Sequence, residues 1–181
     1  MTALLQLARD HGFEDAGELS VATLKFLPEV RSMCAANTCR SYGKNWTCPP
    51  HCGTLDESTR KVAAFERGIL VQTVGKLDDD FDYESMEAAQ ALHNQRFHQL
   101  VGDVRGTVPH CLPMGAGACT LCAECPCPAE PCRFPDKAIV SMEAYGLFVS
   151  QVCEANGIPY NHGSLTVTFT SCLLTHFPQS I

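Results

Sequence analysis

Between Gly115 and Pro135 the chain reads GAGACTLCAECPCPAEPCRFP, which puts Cys119, Cys122, Cys125, Cys127 and Cys132 into fourteen positions with four prolines among and just after them. Each proline fixes φ and removes a backbone donor, so neither an ordinary helix nor a strand can run through the stretch. A segment that dense in thiols and that poor in regular structure is a loop shaped around something it binds.

Cys119, Cys122 and Cys125 follow a C-x2-C-x2-C pattern, with Cys132 six residues further on. A cubane iron–sulfur cluster takes four thiolates, and a short curling loop wraps three of them around one side while the fourth arrives from farther along. The prolines hold the loop out of helix, Gly115 and Gly117 relax the backbone where it begins, and the remaining amides are free to face sulfur. Zinc is the competing metal, but its thiolate sites are usually built from two separated knuckles. The spacing is nearer a ferredoxin run, from which it departs in its longer last gap and in having Arg133, not proline, after Cys132. Cys127 stands in reserve, either exchangeable with Cys125 or Cys132 as a ligand or a free thiol that tolerates the site. Arg133 is a candidate for a hydrogen bond to cluster sulfur or for a surface ion pair.

A second thiol-rich segment, RSMCAANTCRSYGKNWTCPPHCG over residues 31–53, holds Cys34, Cys39, Cys48 and Cys52. Its gaps match neither a zinc ribbon nor a ferredoxin run. Four thiols in nineteen residues nevertheless exceed what packing requires, so a second metal site is expected. Tyr42 and Trp46 are read either as shields over that site or as core aromatics beside a loop. His51 is read as solvent-facing rather than as a ligand.

The chain holds twelve cysteines, an even count that raises the alternative of disulfides. Disulfides belong to oxidising compartments. The opening MTALLQLARDHGFEDAG has the pattern of an amphipathic helix, not of a secretory signal. No run approaches the roughly 18 apolar residues of a membrane span. A cytoplasmic chain is expected, where cysteine clusters serve metal or redox work. A formal net charge of −7 and the absence of any Lys/Arg cluster exclude a nucleic-acid partner. The acidic run Asp78–Asp80, followed by Asp82 and Glu84, is read as a solvated loop.

Apolar residues make up 45% of the 181, enough for one domain with a real core. Helices are expected over residues 2–11, stopped by Gly12; 56–67, stopped by Gly68; 83–104; and 141–156, with Ser141 as N-cap. Strands are expected over 19–27, 69–74, 107–114 and 165–174. His93 and His98 lie five apart on the long helix and share no face, so they are core or surface histidines. The alternation of strands and helices predicts an α/β fold: a single layered domain over 1–181, with a mixed sheet flanked by helices and two cysteine-rich metal-binding loops. Cys153 and Cys172 are read as buried apolar thiols, whereas Cys111 leads toward the cluster loop. Glu143, placed in the first turn of its helix, needs no explanation beyond the macrodipole.

The stretches MCAANTCRSYGKNWTCPP, LPMGAGACTLCAECPCPAEPCRFPDKA, SMEAYGLFVSQVCEANGIPY and, more loosely, LTVTFTSCLL resemble a family of small prokaryotic proteins described as predicted metal-binding proteins of unknown function. The resemblance implies Cys34, Cys39 and Cys48 in the first motif and Cys119, Cys122, Cys125 and Cys132 in the second. Cys52 and Cys127 stand outside the family pattern, which leaves the first site three thiols and an open position. The expected function is an iron–sulfur protein, [4Fe-4S] in type, acting in electron transfer or as a redox accessory with a redox partner protein in an anaerobic setting. The alternatives are a reductive enzyme with an open-cornered cluster and a zinc-binding structural or interaction module.

Overall fold

The computed structural model describes residues 1–108 and 110–176. In chain order the elements are α1 (Thr2–Asp10), β1 (Asp15–Ser20), α2 (Pro28–Ala35), α3 (Leu55–Val62), β2 (Arg67–Lys76), α4 (Tyr83–Thr107), β3 (Cys111–Met114), α5 (Val149–Ala155) and β4 (Thr166–Thr175), with a 3₁₀ turn at Val21–Thr23. The fold is α/β, but the sheet is not mixed. Its four strands run in the order β1-β2-β4-β3 and every pair is antiparallel. The connections explain the correction. A mixed sheet needs at least one crossover between parallel neighbours; instead α2, the first cysteine segment and α3 together return the chain antiparallel to β1.

The two long central strands are apolar on both faces because both are covered. Ile69, Val71 and Leu173 pack with Phe97, Leu100, Val101 and Val104 of α4 and with Ala8 and Phe13. Leu70, Cys172 and Leu174 face the other way, toward Leu19, Val62, Met114, Met142, Leu147, Val152 and Cys153. Each such fully buried side chain contributes roughly 1.5–3 kcal/mol. Hence ILVQTV reads as one continuous apolar run rather than an alternating one.

Helix starts follow local chemistry. Thr54 and Glu57 close a capping box on α3, Pro28 sits in the first turn of α2, and Asp82 accepts from the Ser85 amide at the start of α4. Asp82 also accepts from the Asp78 amide, and Asp79 from that of Phe81, so part of the acidic run builds its own loop.

Four boundaries differ from expectation. The first strand begins at Asp15 and ends at Ser20, whose amide is taken by Asn156 Oδ1; a 3₁₀ turn and an isolated bridge from Phe26 to Leu147 occupy the rest of 19–27. Gly68 does not stop α3. It lies inside β2, where an added Cβ would strike the Leu173 carbonyl on the neighbouring strand. The helix expected from Ser141 starts only at Val149, because Gly146 adopts φ +85° and an added Cβ there would meet Leu55. Of the strand expected over 107–114, Thr107 ends α4, Cys111–Met114 form β3, and Pro109 lies outside the described residues.

His93 ties α4 to the sheet. Fully buried, it shares hydrogen bonds with Thr73 Oγ1 (3.0 Å) and Ser171 Oγ (2.7 Å) and lies among the rings of Phe13, Phe97 and Phe169. Burial, with a smaller contribution from Arg96, lowers its pKa from 6.5 to about 3. The unfolded chain therefore takes a proton as pH falls through 6.5 while the folded chain refuses it until about 3. Stability drains over that window, by up to about 1.4 kcal/mol per pH unit. Denaturant unfolding from pH 7 to pH 5 should show a shallower acid loss in His93→Gln than in the wild type, despite a lower starting stability. Equal slopes would refute the assignment.

Candidate metal centres

The Gly115–Pro135 segment leaves the sheet edge at β3. Gly115 donates to the Val140 carbonyl and accepts from the Met142 amide, which clamps the loop's two ends together. Between them Cys119, Cys122, Cys125 and Cys132 line one small hollow, with Leu121, Pro126, Phe134, Ala138 and the Asn45–Thr47 turn completing its wall. No histidine or carboxylate is on that wall. Cys127 is buried but stands apart from the hollow. Burial pushes the Cys119 thiol up, the Leu121 amide pulls it down, and Cys132, Cys122 and Cys125 raise it further, in that order. The four sulfurs thus sense one another. Yet among the described residues no three His, Cys, Asp or Glu side chains are drawn together into the shell of a single ion. Arg133 is exposed and donates to the Glu124 carbonyl (3.2 Å), so it staples the loop to itself.

The first segment leaves α2 and turns back beneath the Ser141–Leu147 turn. The Cys34 thiol faces the Glu143 carbonyl at 4.0 Å and the Cys52 thiol faces that of Ala144 at 3.9 Å. Burial raises the Cys34 pKa most, then Glu143 and Cys39; Arg31 opposes them. Cys48 is pushed up to about 12 by burial, with Cys39 and Cys52 adding to it. Cys34, Cys39, Cys48 and Cys52 are therefore neighbours. They divide by what they face. Cys34, Cys39 and Cys48 line a cavity of about 750 Å³, while Cys52 is off that wall and accepts from Arg31 Nη1 at 3.0 Å.

Arg31 was not recognised from the sequence as functional. It sits one helical turn before Cys34 and also donates to the Gly53 carbonyl, binding the start of the segment to its end. Asn45 and Thr47 were missed as well, although they join the two sites. Asn45 Nδ2 donates to the Cys119 carbonyl (2.9 Å), and the Cys119 amide donates to Thr47 Oγ1 (3.2 Å). Asn45 Oδ1 in turn accepts from the amide and hydroxyl of Thr47. A lone polar residue carries no spacing signal, which is why neither stood out.

The aromatics are distributed differently than expected. Trp46 belongs to the hollow of Cys119, Cys122, Cys125 and Cys132, and its Nε1 donates to the Glu130 carbonyl at 3.0 Å. His51 packs edge-on against Trp46. Tyr42 lies on the large cavity. Glu143 is not in a helix; it occupies the turn under Cys34, so the macrodipole does not account for it. Its Oε2 is buried with no hydrogen-bond partner, and burial raises its pKa. Cys153 and Cys172 are fully buried in the core, and Cys111 packs against the α4 side of the sheet, away from both sites. All twelve cysteines are free thiols.

Soft thiolates in groups of four suit zinc, copper(I) or iron–sulfur clusters. The class so defined is an α/β metal-binding protein with two neighbouring thiol sites. The chain belongs to the family described as "Predicted metal-binding protein (DUF2284)", whose model matches residues 17–175 and so spans both cysteine segments and all of the sheet but the first two residues of β1. No curated protein and no solved structure matches it. Among the described residues no helix is long and apolar enough to cross a membrane.

Proposed function

We propose that this protein is an iron–sulfur protein that moves electrons for a partner redox protein in the cytoplasm of an organism living without oxygen. Cys119, Cys122, Cys125 and Cys132 hold a [4Fe-4S] cluster, and Cys34, Cys39 and Cys48 hold a second. The observation that carries the reading is the hollow lined by four thiols and no other ionisable side chain. When bound, such a cluster supplies one-electron chemistry at a potential set by hydrogen bonds to sulfur and by exposure. The Leu121 amide on Cys119 and Trp46 on the wall of the hollow are this chain's contributions to that setting.

A second reading, reductive catalysis at the first site, is favoured by one feature. Arg31 draws Cys52 aside, and the three remaining thiols face a cavity. Anaerobic purification with metal and sulfide analysis tests both readings against zinc. About four irons and four sulfides per site are expected. Stoichiometric zinc without sulfide would replace the proposal with a structural zinc module, which a chelator should unfold.

A further inference from the structure

The cavity beside the first site has a composition that selects its occupant. Its roughly 750 Å³ includes the space that a centre on Cys34, Cys39 and Cys48 would take up, and the whole falls within the range of small-molecule pockets, roughly 300–1,000 Å³. It lies between α2, the loop after it, the start of the second cysteine loop at Gly117–Ala118, and the turn leading into α5. One wall carries the thiols of Cys34, Cys39 and Cys48, and Gly117 and Ala118 lead directly into Cys119. Met33, Phe148 and Tyr160 line it while remaining 62%, 39% and 49% exposed, so the cavity opens to solvent through an apolar rim. Apolar surface gathered around a concavity in this way marks a binding site more often than chance exposure does.

Charge narrows the ligand class. No lysine, arginine or histidine is on the wall, and Glu143 is its one acidic side chain. A phosphate or carboxylate would enter without a counter-ion and beside a carboxyl group, at a large desolvation cost. The polar groups on offer are hydroxyls, those of Thr38, Tyr42, Ser150 and Tyr160 among them. They match a ligand with one or two carbonyl, hydroxyl or amine groups on an otherwise apolar frame.

We infer that this cavity is a binding chamber for an uncharged, largely apolar small molecule, held against the thiol wall of the first site. The inference deepens the proposed function by naming a ligand class for that site, and it rests on that reading only in treating the thiol wall as a metal-holding one.

Two probes of one skeleton test it: N-phenyl-1-naphthylamine, which is neutral, and 8-anilino-1-naphthalenesulfonate, which adds a fixed negative charge. Calorimetric titration of anaerobically purified protein of measured metal content should give one saturable site for the neutral probe. The sulfonate should bind at least about tenfold more weakly, a difference of about 1.4 kcal/mol. Ala36 and Thr38 are exposed residues on the wall, so Ala36→Trp and Thr38→Trp should fold normally. Both should weaken the neutral probe by about tenfold or more as the indole fills the chamber, whereas Leu92→Trp on α4 should not. Absent or non-saturable binding, equal affinity for the two probes, or full affinity in both wall variants would overturn the chamber. So would a dimer in solution that buries Met33, Phe148 and Tyr160. Metal-free protein that still binds the neutral probe selectively would sink the metal reading alone; fully loaded protein that does not bind it would sink the chamber alone.

Discussion

Cys122→Ala is expected to lose about four irons and four sulfides per chain, the content of one cubane, while the first site stays loaded. Cys127→Ala should lose none. The contrast follows from placement: Cys122 is on the wall of the shared hollow, and Cys127, two residues beyond Cys125, is buried elsewhere. The loss should reach beyond colour. From Ala116 to Val140 the chain forms no helix or strand, so little besides its anchors, the Asn45–Thr47 braces and the bound centre orders it. Metal binding by such a segment is coupled to its folding. Limited proteolysis should therefore cut between Thr120 and Phe134 far faster in Cys122→Ala than in Cys127→Ala or the wild type. If both variants lose metal equally, the ligand set is wrong. If neither does, the hollow is not the site.

Much of the framework was legible because it rests on periodic burial. ILVQTV and LTVTFTSCLL are long, apolar and β-branched, and they became the two central strands. Met86 to Val104 repeats at helical steps, and α4 follows it. The β1 sequence DAGELS was hidden because only Ala16 and Leu19 are buried and the strand forms one edge of the sheet. The 141–147 turn was mistaken for helix because a serine N-cap pattern also fits a single isolated turn: Ser141 Oγ does accept from the Ala144 amide, but Gly146 then reverses the chain.

At the thiol sites, cysteine spacing pointed to the four residues that share the second hollow. Spacing could not reveal that the first segment reaches across to support that hollow. Nor could it separate Cys52 from its neighbours, since Arg31 makes that distinction only in three dimensions. Residues that bind metal leave a pattern in the sequence; the residues that hold those ligands in place do not, because any nearby amide or hydroxyl serves.

Asn45→Ala should expose that support directly. The side chain lies in the first segment, yet its consequences are expected at the second site. Removing it strips the partner from the part-buried Cys119 carbonyl and from the buried Thr47 amide. Each buried polar group left without a partner costs about 1–3 kcal/mol, so a total near 2–4 kcal/mol is expected after some relaxation. With Thr47 free to rotate, its hydroxyl no longer meets the Cys119 amide, and the loop loses both of its tethers at the first ligand. Chelator challenge should then strip the second site several-fold faster than in the wild type, with the first site released at its usual rate. Asn45→Asp discriminates further: it keeps the acceptor for Thr47 but loses the donor to Cys119, and so should fall between the two in stability and in release. A uniform loss at both sites would mean that Asn45 serves general packing. Selective loss at the second would mean that the chain between Cys39 and Cys48 was selected as much to position the neighbouring loop as to carry its own thiols.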